Sequence, residues 1–427
     1  MTNSVQQRTS GPDPSPVPWR RARNWGPAGW AMACQAVEVL THVVAGIIVA
    51  RALGAAALGD LSYVMAVASA LSVLLLFGTS DVAVSLYARG AASAQAIFTA
   101  SVRVWVRGAV VCAALATLFC LALDLDPSRS ALVALAIASL IVNGAASLLF
   151  LPILAFESAR HDFPGVLATR LLLFVGLVLA AYHGDVQHVL CAYVVAAIAL
   201  TCLRAIHVHR RLFRLRLARD PEVERMLWHR GRKVGVGTVF GSITARADML
   251  LLGGLIGPAA TGLYAASYRF VNGLDAVTIA VATGLYPRLV RNLAGPSGMP
   301  RFTTFVGVGF CGSAAVLCLV PFAEPMVTLV YGPEFAAAGE LLSVLLIAGA
   351  AQVSIAFIHK WWIANVREGL VPRAQGLSAV VNVTLNILWI PSFGALGASW
   401  ATVVSQLALL SFHGVALWLA RPARAPA

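Results

Sequence analysis

Arg51-Ala-Leu-Gly54-Ala-Ala-Ala-Leu-Gly59 lines up with Gly254-Leu-Ile-Gly257-Pro-Ala-Ala-Thr-Gly262, and both glycine pairs are separated by 203 residues. Each Gly-x4-Gly lies between two apolar runs, where a tight hairpin needs residues tolerant of unusual φ. A first hairpin that recurs near mid-chain points to two halves of the same orientation. Such parallel repeats are common in transporters, with the substrate path at their interface. Outward from these turns, apolar runs of about 20 residues, the length a spanning helix needs, continue from about Gly29 to Leu419. Twelve spans are expected, at 28–50, 58–80, 102–123, 131–154, 165–182, 186–206, 234–256, 262–287, 303–322, 340–363, 370–390 and 395–419. The expected fold is all-α: a polytopic membrane protein with 12 transmembrane helices in two six-helix lobes related by a parallel repeat. The expected domains are a disordered cytoplasmic tail over 1–27, an N-lobe over 28–206, a basic cytoplasmic linker over 207–233, a C-lobe over 234–419 and a short cytoplasmic tail over 420–427.

Composition agrees with this class. Of 427 residues, 59% are hydrophobic and only 11% charged, against about 45–50% and about 25% in soluble chains. That balance disfavours a soluble enzyme, a nucleic-acid-binding domain and a secreted disulfide scaffold. The net charge of +13 is explained by orientation. With both termini inside, the cytoplasmic segments hold 27 of the 31 Lys and Arg residues, and only Arg51, Arg129, Arg246 and Arg269 remain. The outside loops carry Asp124, Asp126, Asp185, Glu324 and Glu334 instead. This is the positive-inside pattern, so no nucleic-acid partner is expected. The seven cysteines lie in or at the ends of apolar runs with no C-x-x-C pair, and read as small core residues. Arg20 and Arg21 faintly suggest a twin-arginine signal, but the run that follows is long and reads as an uncleaved first span.

Ionisable groups inside the membrane are the candidate site residues. Each costs about 2.5–3.5 kcal/mol at a helix centre, so it faces a partner or a wet cavity. Counting 1.5 Å per residue puts Glu38, His42, Arg246, Asp248 and Asp275 near mid-depth, with Arg269 nearer the outside. Gln35, Glu38 and His42 share one face of the first helix, Ser378, Asn382 and Asn386 one face of the eleventh, and Thr402, Gln406 and His413 one face of the twelfth. These stripes line a hydrated path or bond one helix to the next. Arg246 and Asp248 project about 200° apart, so only one of them is expected to face a cavity. Gly231, Gly235, Gly237 and Gly241 form small-xxx-small pairs suited to close helix packing. The linker sets Arg210, Arg211, Arg214, Arg216 and Arg219 among Leu212, Phe213, Leu215 and Leu217, suiting either contact with membrane lipids or topology determination alone.

The chain resembles the bacterial oligosaccharide and O-antigen flippases, polysaccharide transporters of the superfamily that also holds the multidrug exporters and the peptidoglycan-precursor flippase. The resemblance rests on Ala50-Arg51-Ala-Leu-Gly54 through Gly59, on Asp248-Met-Leu-Leu-Leu-Gly-Gly-Leu-Ile-Gly257-Pro258-Ala-Ala-Thr-Gly262-Leu-Tyr264-Ala-Ala-Ser-Tyr268-Arg269, on Leu285-Tyr-Pro287-Arg288, on Tyr331-Gly332-Pro-Glu-Phe335, and on Ile390-Pro391-Ser-Phe-Gly394-Ala-Leu-Gly397-Ala398. It implies a central cavity opening alternately to either side, and movement of a polyprenyl-pyrophosphate-linked oligosaccharide to the outer leaflet of the bacterial inner membrane for O-antigen, lipopolysaccharide or exopolysaccharide synthesis. A polysaccharide polymerase and glycosyltransferases would be its partners. Arg246 and Arg269 would then compensate the pyrophosphate, with Gln35, Glu38, His42, Asn382, Asn386 and Gln406 lining the cavity and Asp248, Asp275 or Glu38 carrying a coupling proton. No catalytic constellation, cofactor motif or metal-ligand spacing emerges. The alternatives are a multidrug-type or peptidoglycan-precursor exporter, or a membrane enzyme of polysaccharide assembly.

Overall fold

The computed structural model describes residues 27–293 apart from 91 and 157, together with 298–364 and 370–419. The expected tails thus lie outside the described residues, save for Pro27 at the start of the first helix. The side chains of the Tyr286–Arg288 marker lie outside them too. Among the described residues there are thirteen α-helices and no strand. They are α1 (Pro27–Leu76), α2 (Thr79–Arg89), α3 (Ala94–Ala122), α4 (Pro127–Ala155), α5 (Ala159–His183), α6 (Val186–His207), α7 (Pro221–Thr244), α8 (Ala247–Leu255), α9 (Pro258–Leu293), α10 (Gly298–Leu317), α11 (Ala323–Tyr331), α12 (Ala337–Ala364) and α13 (Leu370–Leu419).

Two helices are too long for one crossing. At 50 residues each, α1 and α13 would reach about 75 Å if straight, against about 30 Å of hydrocarbon. Both fold back at a glycine. Gly54 in α1 has φ 80°, a conformation that a side-chain-bearing residue adopts only at a cost, and His42 and Met65 on its two arms line one cavity. Gly394 in α13 has φ 55°, and the Ser378 hydroxyl on one arm donates to the Ser405 carbonyl on the other (3.1 Å). Among the described residues, eight helical stretches, two of them double, are long and apolar enough to cross a membrane. The seventh and eighth spans come from α7 with α8 and from α9. The chain is a multi-pass helical membrane protein of two six-span halves.

Several span limits differ from the sequence expectation because turn chemistry, rather than hydropathy, ends the helices. The second span continues past Gly78 through α2 to Arg89. The ninth, expected to stop at 322, resumes as α11 and runs to Tyr331. The fifth begins at Ala159, six residues early, which brings Asp162 into the same helix as Arg170. The second half of the expected linker is helical from Pro221, where Asp220 caps α7 by accepting from the Glu222 and Val223 amides (3.0 and 3.2 Å).

The halves meet through glycines at both ends. A Cβ on Gly59 would collide with the Pro258 carbonyl, and one on Gly262 with the Ala55 carbonyl. The two copies of the repeated motif therefore lie backbone to backbone. At the same end the Arg51 guanidinium donates to the carbonyls of Leu329 (2.6 Å) and Val330 (2.7 Å), capping α11. At the opposite end Gly78 packs on Gly231 and Gly235, the close approach expected of the small-xxx-small pairs. In the second half α12 is the central helix, with 78% of its apolar window buried.

Candidate functional site

The N-terminal half carries a chain of buried charges. The Arg204 guanidinium on α6 donates to Asp162 on α5 (3.0 Å) and to the Ala146 carbonyl on α4 (3.2 Å), and lies over the Phe150 ring (4.6 Å). The same Nη2 of Arg204 that pairs with Asp162 stands 3.8 Å from the Glu38 carboxylate on α1, which pairs with Arg170 on α5 at 3.0 Å. Arg170, Arg204 and Asp162 are all buried. Buried ions persist only when paired and hydrogen-bonded, and Arg204 meets that condition fully. Arg170 does not: its Nε has no partner among the described residues.

Two cavities flank the Glu38–Arg170 pair. A cleft of about 450 Å³ is lined by Glu38, by Ser72 and Asp81 of the second span, by Asn143 and Ser147 of α4, and by Val234 and Thr238 of α7. It therefore lies between the two halves. A smaller cavity of about 30 Å³ is lined by Arg170, His42, Ser139, Asn143 and Tyr193. Leu140 and Asn143 belong to both walls. His42 is anchored within its helix, its Nδ1 donating to the Glu38 carbonyl (2.8 Å). From the other half, the Arg269 guanidinium of α9 lies directly against Gly46, one turn along α1 from His42, where any side chain would collide with it. Its buried Nη1 also lacks a partner. Arg170, Arg204 and Arg269 thus gather behind a cleft whose own ionisable lining residues are Glu38 and Asp81.

The other candidates take different places. Gln35 is exposed on α1, one turn before Glu38. Arg246 is exposed at the break between α7 and α8, where its side chain makes no cap bond to α8. Asp248 is buried and turned away from the clefts, accepting from the Tyr264 hydroxyl (2.6 Å) and the Met249 amide (2.8 Å). Tyr264 in turn stands 3.5 Å from the Thr402 hydroxyl. Asp275 is half-buried on α9 with no ion pair among the described residues. The C-terminal polar stripes bond to each other: Asn386 Nδ2 donates to Asn382 Oδ1 (3.0 Å), and Asn382 Nδ2 donates to the Ser405 hydroxyl (3.3 Å). Gln406 is half-buried with its Oε1 unpartnered. The buried His413 accepts from the Trp362 indole N–H (3.1 Å) and faces His359 at 2.8 Å.

Sequence reasoning missed Asp162, Arg170, Arg204, Asn143 and Tyr193. The positive-inside count places Arg170 and Arg204 in cytoplasmic segments, because both lie near the expected ends of their spans. The available signal was Glu38 itself, a carboxylate at mid-depth that demanded a cation from another helix.

The family described as polysaccharide biosynthesis protein matches residues 25–293, well over half of the chain. The chain belongs to that family. A relative is the probable low-salt glycan biosynthesis flippase Agl15 of Haloferax volcanii, 24% identical over 188 residues; the match covers 42% of this chain and 39% of the relative, so the chain spans about two-fifths of that protein's length. Among solved structures the fold is similar to the lipid II flippase MurJ in an inward closed conformation, with TM-score 0.71 and 11% identity over 91% of this chain and 87% of that one. It is also similar to an inward-facing multidrug resistance MATE family transporter of the MOP superfamily, with TM-score 0.62 and 13% identity over 91% and 98%. At these identities the likeness concerns the fold: this family member has the architecture of a membrane transporter.

Proposed function

We propose that the protein is a flippase that moves a polyprenyl-pyrophosphate-linked oligosaccharide from the cytoplasmic to the outer leaflet of a bacterial inner membrane, for O-antigen, lipopolysaccharide or exopolysaccharide synthesis. The observation that carries this reading is the cationic cluster of Arg170, Arg204 and Arg269 around the first span, beside a cleft between the halves. A pyrophosphate cannot enter hydrocarbon without compensation, and arginine forks match phosphate oxygens. The cleft wall itself carries Glu38 and Asp81, so on this reading the arginines act from behind that wall. On this reading Arg269 and Arg170 hold the head group, Gln35, His42 and Asn143 meet sugar or phosphate oxygens, and Arg246 offers a charge at the broken seventh span. Asn382 and Asn386 hold the two arms of α13 together, Gln406 serves the C-lobe wall, and Asp248, Asp275 and Glu38 are the acids available for proton coupling.

The lobes act as units on either side of the cleft, both termini stay cytoplasmic, and a polymerase and glycosyltransferases act beside the transporter rather than within it. An inside-negative potential favours outward movement of the anion by about 2.3 kcal/mol per charge per 100 mV. The test is a flipping assay in proteoliposomes with Arg269→Ala, Arg269→Lys and Arg246→Ala, each checked for normal folding. Arg269→Ala is expected to lose at least 90% of the rate, about 1.4 kcal/mol, with partial retention by lysine. Wild-type rates in a folded Arg269→Ala protein would remove the head-group role.

A further inference from the structure

The Glu38–Arg170 pair has an asymmetry that a purely structural ion pair does not need. Arg170 is 8% exposed and Glu38 is 31% exposed, so the carboxylate stands in the cleft and the guanidinium behind it. Only Nη2 of Arg170 reaches Glu38, at 3.0 Å, while its Nε is buried and unpartnered. Half of a fork built for two-point contact with a carboxylate or phosphate is therefore unused. Arg204 is not available to complete the pairing, because Asp162 and the Ala146 carbonyl hold it. The space behind Arg170 is only about 30 Å³, room for about two waters, so no head group fits there. The space in front is about 450 Å³. Arg170 is not part of the cleft wall; Glu38 stands between them, so an anion entering from the cleft meets Arg170 at the position the Glu38 carboxylate now fills.

We infer that Glu38 is a placeholder in an anion seat: in the empty protein its carboxylate occupies Arg170, and a phosphate or diphosphate ester entering from the cleft displaces it and takes both donors of the guanidinium fork. The inference deepens, and rests on, the flippase reading. Glu38 releases Arg170 without leaving the cleft, so its own charge is rehydrated rather than buried. The seat discriminates by acceptor number, since a diphosphate offers more oxygens to the idle Nε than a single carboxylate offers. Asn143, shared by the walls of both cavities, is placed to donate to the same oxygens.

The test measures binding of geranyl diphosphate and of inorganic pyrophosphate to the full-length protein in nanodiscs by calorimetry. A displaced competitor predicts that Glu38→Gln, which keeps the size and removes the charge, binds geranyl diphosphate about ten-fold more tightly than wild type. The double variant Glu38→Gln/Arg170→Gln, which leaves no unpaired charge, should fold normally and lose the gain. Glu38→Asp, one methylene shorter and a weaker competitor, should tighten binding by a smaller factor and stands in if the glutamine variant does not fold. Unchanged or weaker binding in a folded Glu38→Gln protein would overturn the seat and return the pair to a structural role. Flipping by wild type separates the two ideas. Transport of a diphosphate-linked oligosaccharide with no tightening in Glu38→Gln sinks the seat alone. Tightening without such transport keeps the seat and removes the proposed cargo.

Discussion

The first six spans and the last six solve the problem of polar groups in a membrane differently. In the N-terminal half, α1, α4, α5 and α6 converge on ions: Glu38, Asp162, Arg170 and Arg204, with Arg269 leaning in from α9. In the C-terminal half, the arms of α13 are joined by neutral bonds among Asn386, Asn382, Ser378 and Ser405, and α12 is tied to α13 by His359, Trp362 and His413. The ionic half borders the clefts, and the neutral half is packed around one deeply buried helix. Ion pairs gather beside the clefts, while the second half relies on hydrogen bonds and holds its buried acid, Asp248, through Tyr264 and the Met249 amide.

That contrast predicts unequal costs. Asp162→Ala strands a buried Arg204, which is expected to cost about 3–5 kcal/mol; loss of folded protein and a lowered Tm in detergent would register it. A folded Asp162→Ala protein with an unchanged Tm would break the contrast, since the ionic chain would then carry no structural weight. Asn382→Leu in the neutral half removes its bonds to Ser405 and Asn386 and is expected to cost only about 1 kcal/mol, with transport retained. A cost equal to that of Asp162→Ala would erase the difference between the halves. The smallest effect tests what the halves share. Single cysteines at exposed positions within 183–187 and 332–336 should label from outside intact cells and those at exposed positions within 207–230 should not, with stability unchanged; outside labelling within 207–230 would invert the orientation of both halves together.

Much of the architecture was legible before any coordinates. The Gly-x4-Gly repeat marked the first turn of each half, and Gly54 and Gly257 both take positive φ there (80° and 118°). What it could not reveal was that Gly59 and Gly262 meet each other, because nothing in one motif points to a contact with its copy. The candidate site was half legible. Glu38 and His42 were found from their depth on one helical face, and the C-terminal stripes came with helix-to-helix bonding as one of two readings. Arg170 and Arg204 were misplaced because hydropathy reports position along a helix axis and is blind to what a neighbouring helix offers.

By itself the sequence determined that this chain is a bundle of membrane-spanning helices in two like-oriented halves. Hydrocarbon admits only segments about 20 residues long that satisfy their own backbone hydrogen bonds, so length, hydropathy and glycine spacing suffice to count them. Tertiary structure alone decided which charges are partners. Asp162 and Arg204 lie 42 residues apart on different helices, and Glu38 meets Arg170 across α1 and α5. An ion pair depends on angstrom distances between helix faces, and those are set by packing the whole bundle rather than by any local pattern.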